Sequence, residues 1–217
     1  MSAALKICGV THLDDIDACV EHRVDAIGLN LWPGSKRAVT LEQARPLADR
    51  ARRGDDVDAR PQVIGVFVDP RVDEIRRAAE VLRLDAVQLH GDAPPQRYAE
   101  LGLPWVWVVR GTPSLSSLAV PAPAPAWILL DAHVAGYGGR GVTTDWSWAR
   151  AAVEHFANAP VWLAGGITPD NAASALQQVR PCGLDVASGA ERSGDPRRKD
   201  PAKIAALALI CNNGGAL

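Results

Sequence analysis

The chain of 217 residues has no surplus of charge, no closely spaced cysteine pair and no long apolar run. Each absence removes a class of function. Its 23 Lys and Arg against 25 Asp and Glu leave a net charge of −2, so no basic face is on offer for nucleic acid or an anionic membrane surface. No apolar stretch approaches the ~20 residues that span a bilayer. The segment from Met1 to Lys6 lacks a basic start followed by an apolar stretch, so no secretory leader is expected there. Cys8, Cys19, Cys182 and Cys211 form no CxxC pair and no cluster with histidine, which speaks against a zinc site or a disulfide framework. They read as free thiols of a cytoplasmic protein, and most such thiols are small buried hydrophobes. Cys8-Gly9-Val10-Thr11 is not a GxGxxG dinucleotide turn, and no Lys-Ser/Thr follows Gly138-Gly139-Arg140-Gly141 to make a P-loop.

What the chain does have is alternation. Hydrophobic residues make up 47%, enough for a sizeable core. Apolar runs rich in β-branched residues predict strands at Leu5–Cys8, Ala26–Leu31, Gln62–Val68, Ala86–His90, Trp105–Val109, Trp127–Asp131, Val161–Ala164 and Leu184–Ala187. Helical spacing predicts helices over His12–His22, Leu41–Arg52, Asp73–Leu82, Pro95–Leu101, Trp146–Asn158, Asn171–Val179 and Pro201–Ile210. A weak one near Ser114–Leu118 runs into Pro121-Ala122-Pro123-Ala124-Pro125, which cannot be helix interior. Strand ends from Cys8 to Ser188 recur about every 26 residues, and eight such units close into a single-domain (β/α)8 barrel spanning residues 1–217. The competing open sheet would call for the glycine-rich turn that is missing.

Three strand starts look alike: Val24-Asp25-Ala26, Leu84-Asp85-Ala86 and Leu184-Asp185-Val186. Asp25 and Asp85 read as caps of backbone donors at the stability face of the barrel. Asp185 reads differently because of Lys6. Period-two alternation puts Lys6 on the same side as Cys8, and an interior lysine needs a partner. Strand 8 neighbours strand 1 in a closed barrel, so Asp185 is the candidate partner. A Lys6 cation pointing inward is expected to favour the Cys8 thiolate.

Barrel enzymes gather function where strands end. Reactive types are concentrated there: Cys8-Gly9, Asn30 to Arg37, Gln88-Leu89-His90, Asp131, Gly165-Gly166 and Ser188-Gly189. Gly165-Gly166 lets backbone approach a ligand, Thr168 reads as an N-cap and Pro169 as the first helical residue. Together with Ser188-Gly189 this predicts a phosphate site after strands 7 and 8. Asp131 follows Ile128-Leu129-Leu130, so its carboxyl is expected to be partly desolvated and to hold a proton near neutral pH. Strands 1 and 6 place Cys8 and Asp131 across a substrate from one another. Gly138 to Gly141 reads as a mobile loop or lid, and His133 as a surface loop residue.

These segments together resemble the phosphoribosylanthranilate isomerase family of tryptophan biosynthesis. The resemblance is carried by Lys6-Ile7-Cys8-Gly9, Gly34-Ser35-Lys36-Arg37, Gly65-Val66-Phe67-Val68, Val87-Gln88-Leu89-His90-Gly91-Asp92, Leu129-Leu130-Asp131-Ala132, Leu163 to Pro169 and Asp185 to Glu191, in the expected order over nearly the whole chain. It implies an Amadori rearrangement without cofactor or metal. Cys8 is then the general base that takes the C2′ proton and Asp131 the general acid toward the ring oxygen. Arg37 holds the anthranilate carboxylate, and Gly165, Gly166, Ser188 and Gly189 cradle the phosphate. Gln88, His90 and Asp185 line the pocket. The implied partners are a phosphoribosyl substrate and, at most, a second copy of the chain; neither nucleic acid nor membrane is expected.

The chain departs from the family at Lys36, Arg140, Ala187 and Thr144, which touches affinity more than reaction type. A histidine-pathway aldose–ketose isomerase would carry Asp where Cys8 stands. Indole-glycerol-phosphate synthase would need a catalytic lysine, for which the surroundings of Lys6 do not fit. A silent phosphate-binding barrel would not need both Cys8 and Asp131.

Overall fold

The computed structural model describes residues 2–53, 60–98, 100–131 and 144–215. Eight parallel strands close into a barrel in chain order: β1 (Ala4–Cys8), β2 (Ala26–Asn30), β3 (Gln62–Val68), β4 (Ala86–His90), β5 (Trp105–Arg110), β6 (Trp127–Asp131), β7 (Val161–Leu163) and β8 (Gly183–Val186). Their bounds match the apolar runs of the sequence to within about one residue. Helices α1 (Leu13–Glu21), α2 (Leu41–Ala51), α3 (Val72–Leu82), α4 (Trp146–His155), α5 (Pro169–Val179) and α6 (Pro201–Asn212) cover the outside. None of the described helices is long and apolar enough to cross a membrane.

Two expected helices are not helices. Among the described residues, the fourth crossover holds only a 3-10 turn at Pro95–Tyr98 and the fifth another at Leu115–Ser117. Pro94, Pro95 and Pro104 crowd the first, while Pro113 and the run from Pro121 to Pro125 bound the second. Prolines remove donors and bias the preceding residue away from helix, so neither segment can grow beyond one turn. A hairpin that the periodicity did not announce follows β8: β9 (Glu191–Arg192) pairs antiparallel with β10 (Asp195–Lys199).

The pleat divides the core in two. One face of the strands packs under the helices. The other fills the barrel with Ala26, Ile64, Ala86, Val106, Trp127, Leu129, Trp162 and Ala164. Trp127 and Trp162 stack with ring centroids 5.0 Å apart, and alanines at 26 and 86 leave room for rings of that size. The lower barrel is therefore solid. At its N-terminal rim, Asp25 Oδ2 accepts from the Leu5 amide at 2.8 Å, and Asp85 Oδ2 from the Val63 amide at 2.7 Å. Both are the backbone caps read from the sequence. They precede their strands, whereas Asp185 lies within β8, paired in register with Lys6.

Candidate active site

Above the packed layers the strand ends surround one cavity. Cys8, Arg37, Gln88, His90, Asp131, Gly165, Gly166, Asp185 and Ser188 all line it. Gln88 and Asp185 point into it from within β4 and β8, and the others stand on the C-terminal end of a strand or in the loop after it, as barrel geometry requires. Gly189 is set behind the wall. A Cβ on it would meet the Ile167 carbonyl oxygen at 1.8 Å, so glycine there lets the turn after β8 pack onto the turn after β7. Gly165 and Gly166 both have positive φ, 88° and 66°, and turn the backbone at the cavity edge. Asn171 closes that turn by accepting from the Thr168 amide at 2.8 Å and donating to the Gly166 carbonyl at 2.9 Å. The Gly138–Gly141 loop and His133 lie outside the described residues.

Lys6 is fully buried inside the barrel and its Nζ lies 2.6 Å from Asp185 Oδ2. The pairing expected from the alternation is present. Lys6 also faces the Cys8 sulfur. Burial pulls the ammonium down, but Asp185 and then Cys8 more than reverse this, and the net direction is up. Lys6 is thus a permanent cation under the thiol.

Lys6 favours the Cys8 thiolate as expected, but it does not decide the net direction. Cys8 is only half-buried by exposure, since one side opens on the cavity. Desolvation nevertheless pushes its thiol up, and the cations Lys6, Lys199 and Arg37 offset only part of that. Asp185 adds to the rise. The resting residue is therefore a thiol, and Lys6, Lys199 and Arg37 favour its ionisation once a positive charge or proton acceptor arrives, although burial also pulls the Lys199 ammonium down.

The opposite wall carries β4 and β6. Gln88 Nε2 lies 2.8 Å from His90 Nε2. Burial, then the charges of Lys6 and Arg110, pull His90 down to about 3, so the ring is neutral and its Nε2 accepts from the Gln88 amide. Asp131 stands at the end of β6, half-buried, across the mouth from β1 with β7 and β8 between them on the shorter way round. Among the described residues, no three His, Cys, Asp or Glu side chains are grouped to hold a metal ion.

Arg37 is 4% exposed and crosses over Gly9, where a Cβ would strike its Cδ at 2.2 Å. That contact brings the guanidinium beside Cys8. Among the described residues, three buried polar atoms of cavity-lining residues have no partner: Arg37 Nη2, Gln88 Oε1 and Asp185 Oδ1. Orphaned buried groups are costly, so one unpaired donor of a cation and two unpaired acceptors describe a site shaped for a ligand with an anionic group and hydroxyls. Sequence reasoning missed Glu191 and Lys199. Glu191 accepts from Arg37 Nε, and Lys199, fully buried, lies 3.5 Å from the same carboxylate.

Breaking the interior pair tests this account of the wall. Lys6→Met strands a buried carboxylate that already has one unpaired oxygen, and should cost about 3–5 kcal/mol in urea unfolding. Lys6→Met with Asp185→Leu should recover most of that loss. A single-variant loss below about 1 kcal/mol would mean that the pair is solvated after all.

Comparison with known proteins agrees with the geometry. The profile of the family described as N-(5'phosphoribosyl)anthranilate (PRA) isomerase matches residues 5–208. Relatives named N-(5'-phosphoribosyl)anthranilate isomerase include those of Chromohalobacter salexigens, 44% identical over 94% of this chain and 91% of the relative, and Myxococcus xanthus, 40% identical over 95% of each. A solved phosphoribosyl anthranilate isomerase of Thermotoga maritima superimposes with a TM-score of 0.81 at 30% identity, covering 98% of this chain and 99% of the other. Another, in complex with reduced 1-(o-carboxyphenylamino)-1-deoxyribulose 5-phosphate, does so with a TM-score of 0.78 at 29% identity over 99% and 100%.

Proposed function

The chain belongs to the phosphoribosylanthranilate isomerase family, and we propose which of its residues perform the reaction. That reaction converts N-(5'-phosphoribosyl)anthranilate to 1-(2-carboxyphenylamino)-1-deoxyribulose 5-phosphate in tryptophan biosynthesis, by an Amadori rearrangement under general acid/base catalysis. Asp131 is the general acid. It gives its proton to the ribose ring oxygen while the anilino nitrogen lone pair opens the ring to a C1′=N iminium. Cys8 is the general base. Once the iminium has formed, the Cys8 proton passes to solvent and the thiolate removes the C2′ proton. The C2′–H electrons form the C1′=C2′ bond, the C=N pair returns to nitrogen, and the resulting enol-amine gains a proton at C1′ and loses its 2′-hydroxyl proton to become the ketone. No proton is gained or lost overall, so no cofactor is needed.

The observation that carries this reading is that Cys8, Asp131, Arg37 and the Gly165-Gly166 turn meet in one cavity. The iminium explains how a raised thiol can serve. It places a cation where Lys6, Lys199 and Arg37 already favour ionisation, and it acidifies the C2′ proton in the same step. Arg37 Nη2 takes the anthranilate carboxylate by a charge-assisted bond. Gln88 Oε1 and Asp185 Oδ1 accept from sugar hydroxyls, and neutral His90 holds Gln88 in place. Gly165, Gly166 and Ser188 receive the phosphate, and Gly189 permits their turns to meet.

We read residues 1–217 as one catalytic barrel acting in the cytoplasm as a monomer or homodimer; one structural neighbour is described as monomers generated from a dimeric isomerase. Loss of anthranilate fluorescence, with the substrate generated in situ, tests the activity. The state of the base is tested by iodoacetamide inactivation of the free enzyme in a Cys182→Ala background, since Cys182 is exposed. A raised pKa keeps the thiol protonated to higher pH, so the inactivation rate should still be climbing at about pH 9, with the product protecting. A rate that levels off below neutrality would contradict it.

A further inference from the structure

Glu191 and Lys199 are 8% and 0% exposed, and both belong to the hairpin β9–β10, where they pair in register. The hairpin works as a strap. The Lys199 amide donates to Asp15 Oδ2 on α1 at 3.0 Å, and Arg197 Nη1 donates to the Ala38 carbonyl at 3.1 Å in the loop after β2. The Thr11 hydroxyl donates to the Arg197 carbonyl. The strap thereby joins the loop after β1, which follows Cys8, to the loop that carries Arg37.

Its two buried charges continue to the cavity wall. Lys199 Nζ donates to the Ala187 carbonyl at 3.0 Å and lies 3.5 Å from Glu191 Oε1. Glu191 Oε1 accepts from Arg37 Nε. Only that edge of the planar guanidinium is held by the carboxylate, and Nη2 remains buried without a partner on a residue that lines the cavity. Burial pulls the Lys199 ammonium down and Glu191 offsets part of this, so the carboxylate is shared between Lys199 and the Arg37 Nε edge. The buried Nη2 donor that this arrangement leaves unpaired is completed by an anionic acceptor.

We propose that Glu191, braced by Lys199, is a positioning residue that orients Arg37 so that Nη2 receives the aromatic carboxylate of the substrate. The inference rests on the reading of Arg37 as the carboxylate site. A guanidinium on a long flexible stem can bind a carboxylate tightly only if its plane is set beforehand, and Glu191 sets it. Glu191 touches no reacting atom, so its effect belongs to substrate affinity rather than to proton transfer.

Steady-state kinetics on Glu191→Gln, Arg37→Met and the double variant test this. Glu191→Gln should raise KM about tenfold with kcat changed less than about threefold, and Arg37→Met should raise KM about a hundredfold. In the Arg37→Met background, Glu191→Gln should add nothing to KM, because it acts through Arg37. If Glu191→Gln does not fold, Glu191→Gln with Lys199→Met removes the opposite charge as well and carries the same expectation. An unchanged KM in Glu191→Gln, or additive losses in the double variant, overturns the proposal. A fall in thermal stability with KM intact does the same and marks the strap as a structural brace. An unchanged KM in Arg37→Met instead overturns the carboxylate reading beneath it.

Discussion

Replacing Cys8 by alanine is expected to lower kcat by about a thousandfold while product affinity changes less than about threefold. The thiol lines the cavity beside the Lys6–Asp185 pair, and Lys6, Lys199 and Arg37, from β1, β10 and the loop after β2, each favour its ionisation. The orphaned Arg37, Gln88 and Asp185 atoms and the turn at Gly165 and Gly166 are left untouched, so product should still bind. Cys8→Ser should be nearly as poor, since a hydroxyl is a far weaker acid and the same desolvation opposes its ionisation. Global stability should fall little, because Cys8 is half-buried and its removal leaves an opening already continuous with the cavity. Fluorescence turnover and product titration decide the matter. Turnover within tenfold of the wild type would remove Cys8 from its role.

Asp131→Ala is expected to cost a similar factor, about a thousandfold in kcat, again with product affinity retained. β6 presents Asp131 after four buried residues, Trp127 to Leu130, at the point where the packed barrel opens into the cavity. A carboxyl there can protonate an oxygen across the mouth from Cys8. Alanine leaves the ring oxygen to be protonated by water. Asp131→Asn keeps the shape but supplies no transferable proton, so it should be as inactive as alanine, which separates acid catalysis from simple space filling. The double variant Cys8→Ala/Asp131→Ala should lose little beyond the worse single variant, because ring opening and proton removal serve one sequence of steps. Losses that multiply in full would mean that the two residues act in independent steps.

How much of this was legible in the chain depends on the range of each interaction. The barrel was readable because strand and helix periods are local, and Asp25 and Asp85 were readable as caps from the repeated helix-to-strand turn, although the amides they cap, Leu5 and Val63, lie on the neighbouring strands β1 and β3. The Lys6–Asp185 pair was readable as well: alternation gives the side of Lys6, and closure of the barrel makes strand 8 its neighbour. The expected helix at Pro95–Leu101 is a 3-10 turn because the prolines around it outweigh helical spacing, and the weak one near Ser114–Leu118, which runs into prolines, is likewise only a turn. Glu191 and Lys199 were missed for another reason. Lys199 ends Arg197-Arg198-Lys199, which reads as a solvated basic run, and only the hairpin turns it inward.

Cys8 shows where the division falls. The sequence alone determined that a cysteine ends the first strand, that a lysine shares its side, and that polar and glycine-rich turns end the other strands. Alternation and closure are consequences of backbone geometry, and a single chain carries them in full. Only the tertiary structure decided that the thiol is pushed up rather than down, that Arg37 is gripped by Glu191, and that three polar atoms around the cavity lack partners. These are balances between desolvation and charge. They depend on the distances among residues as far apart in the chain as Cys8, Arg37 and Lys199, which only the closed barrel and its hairpin bring together.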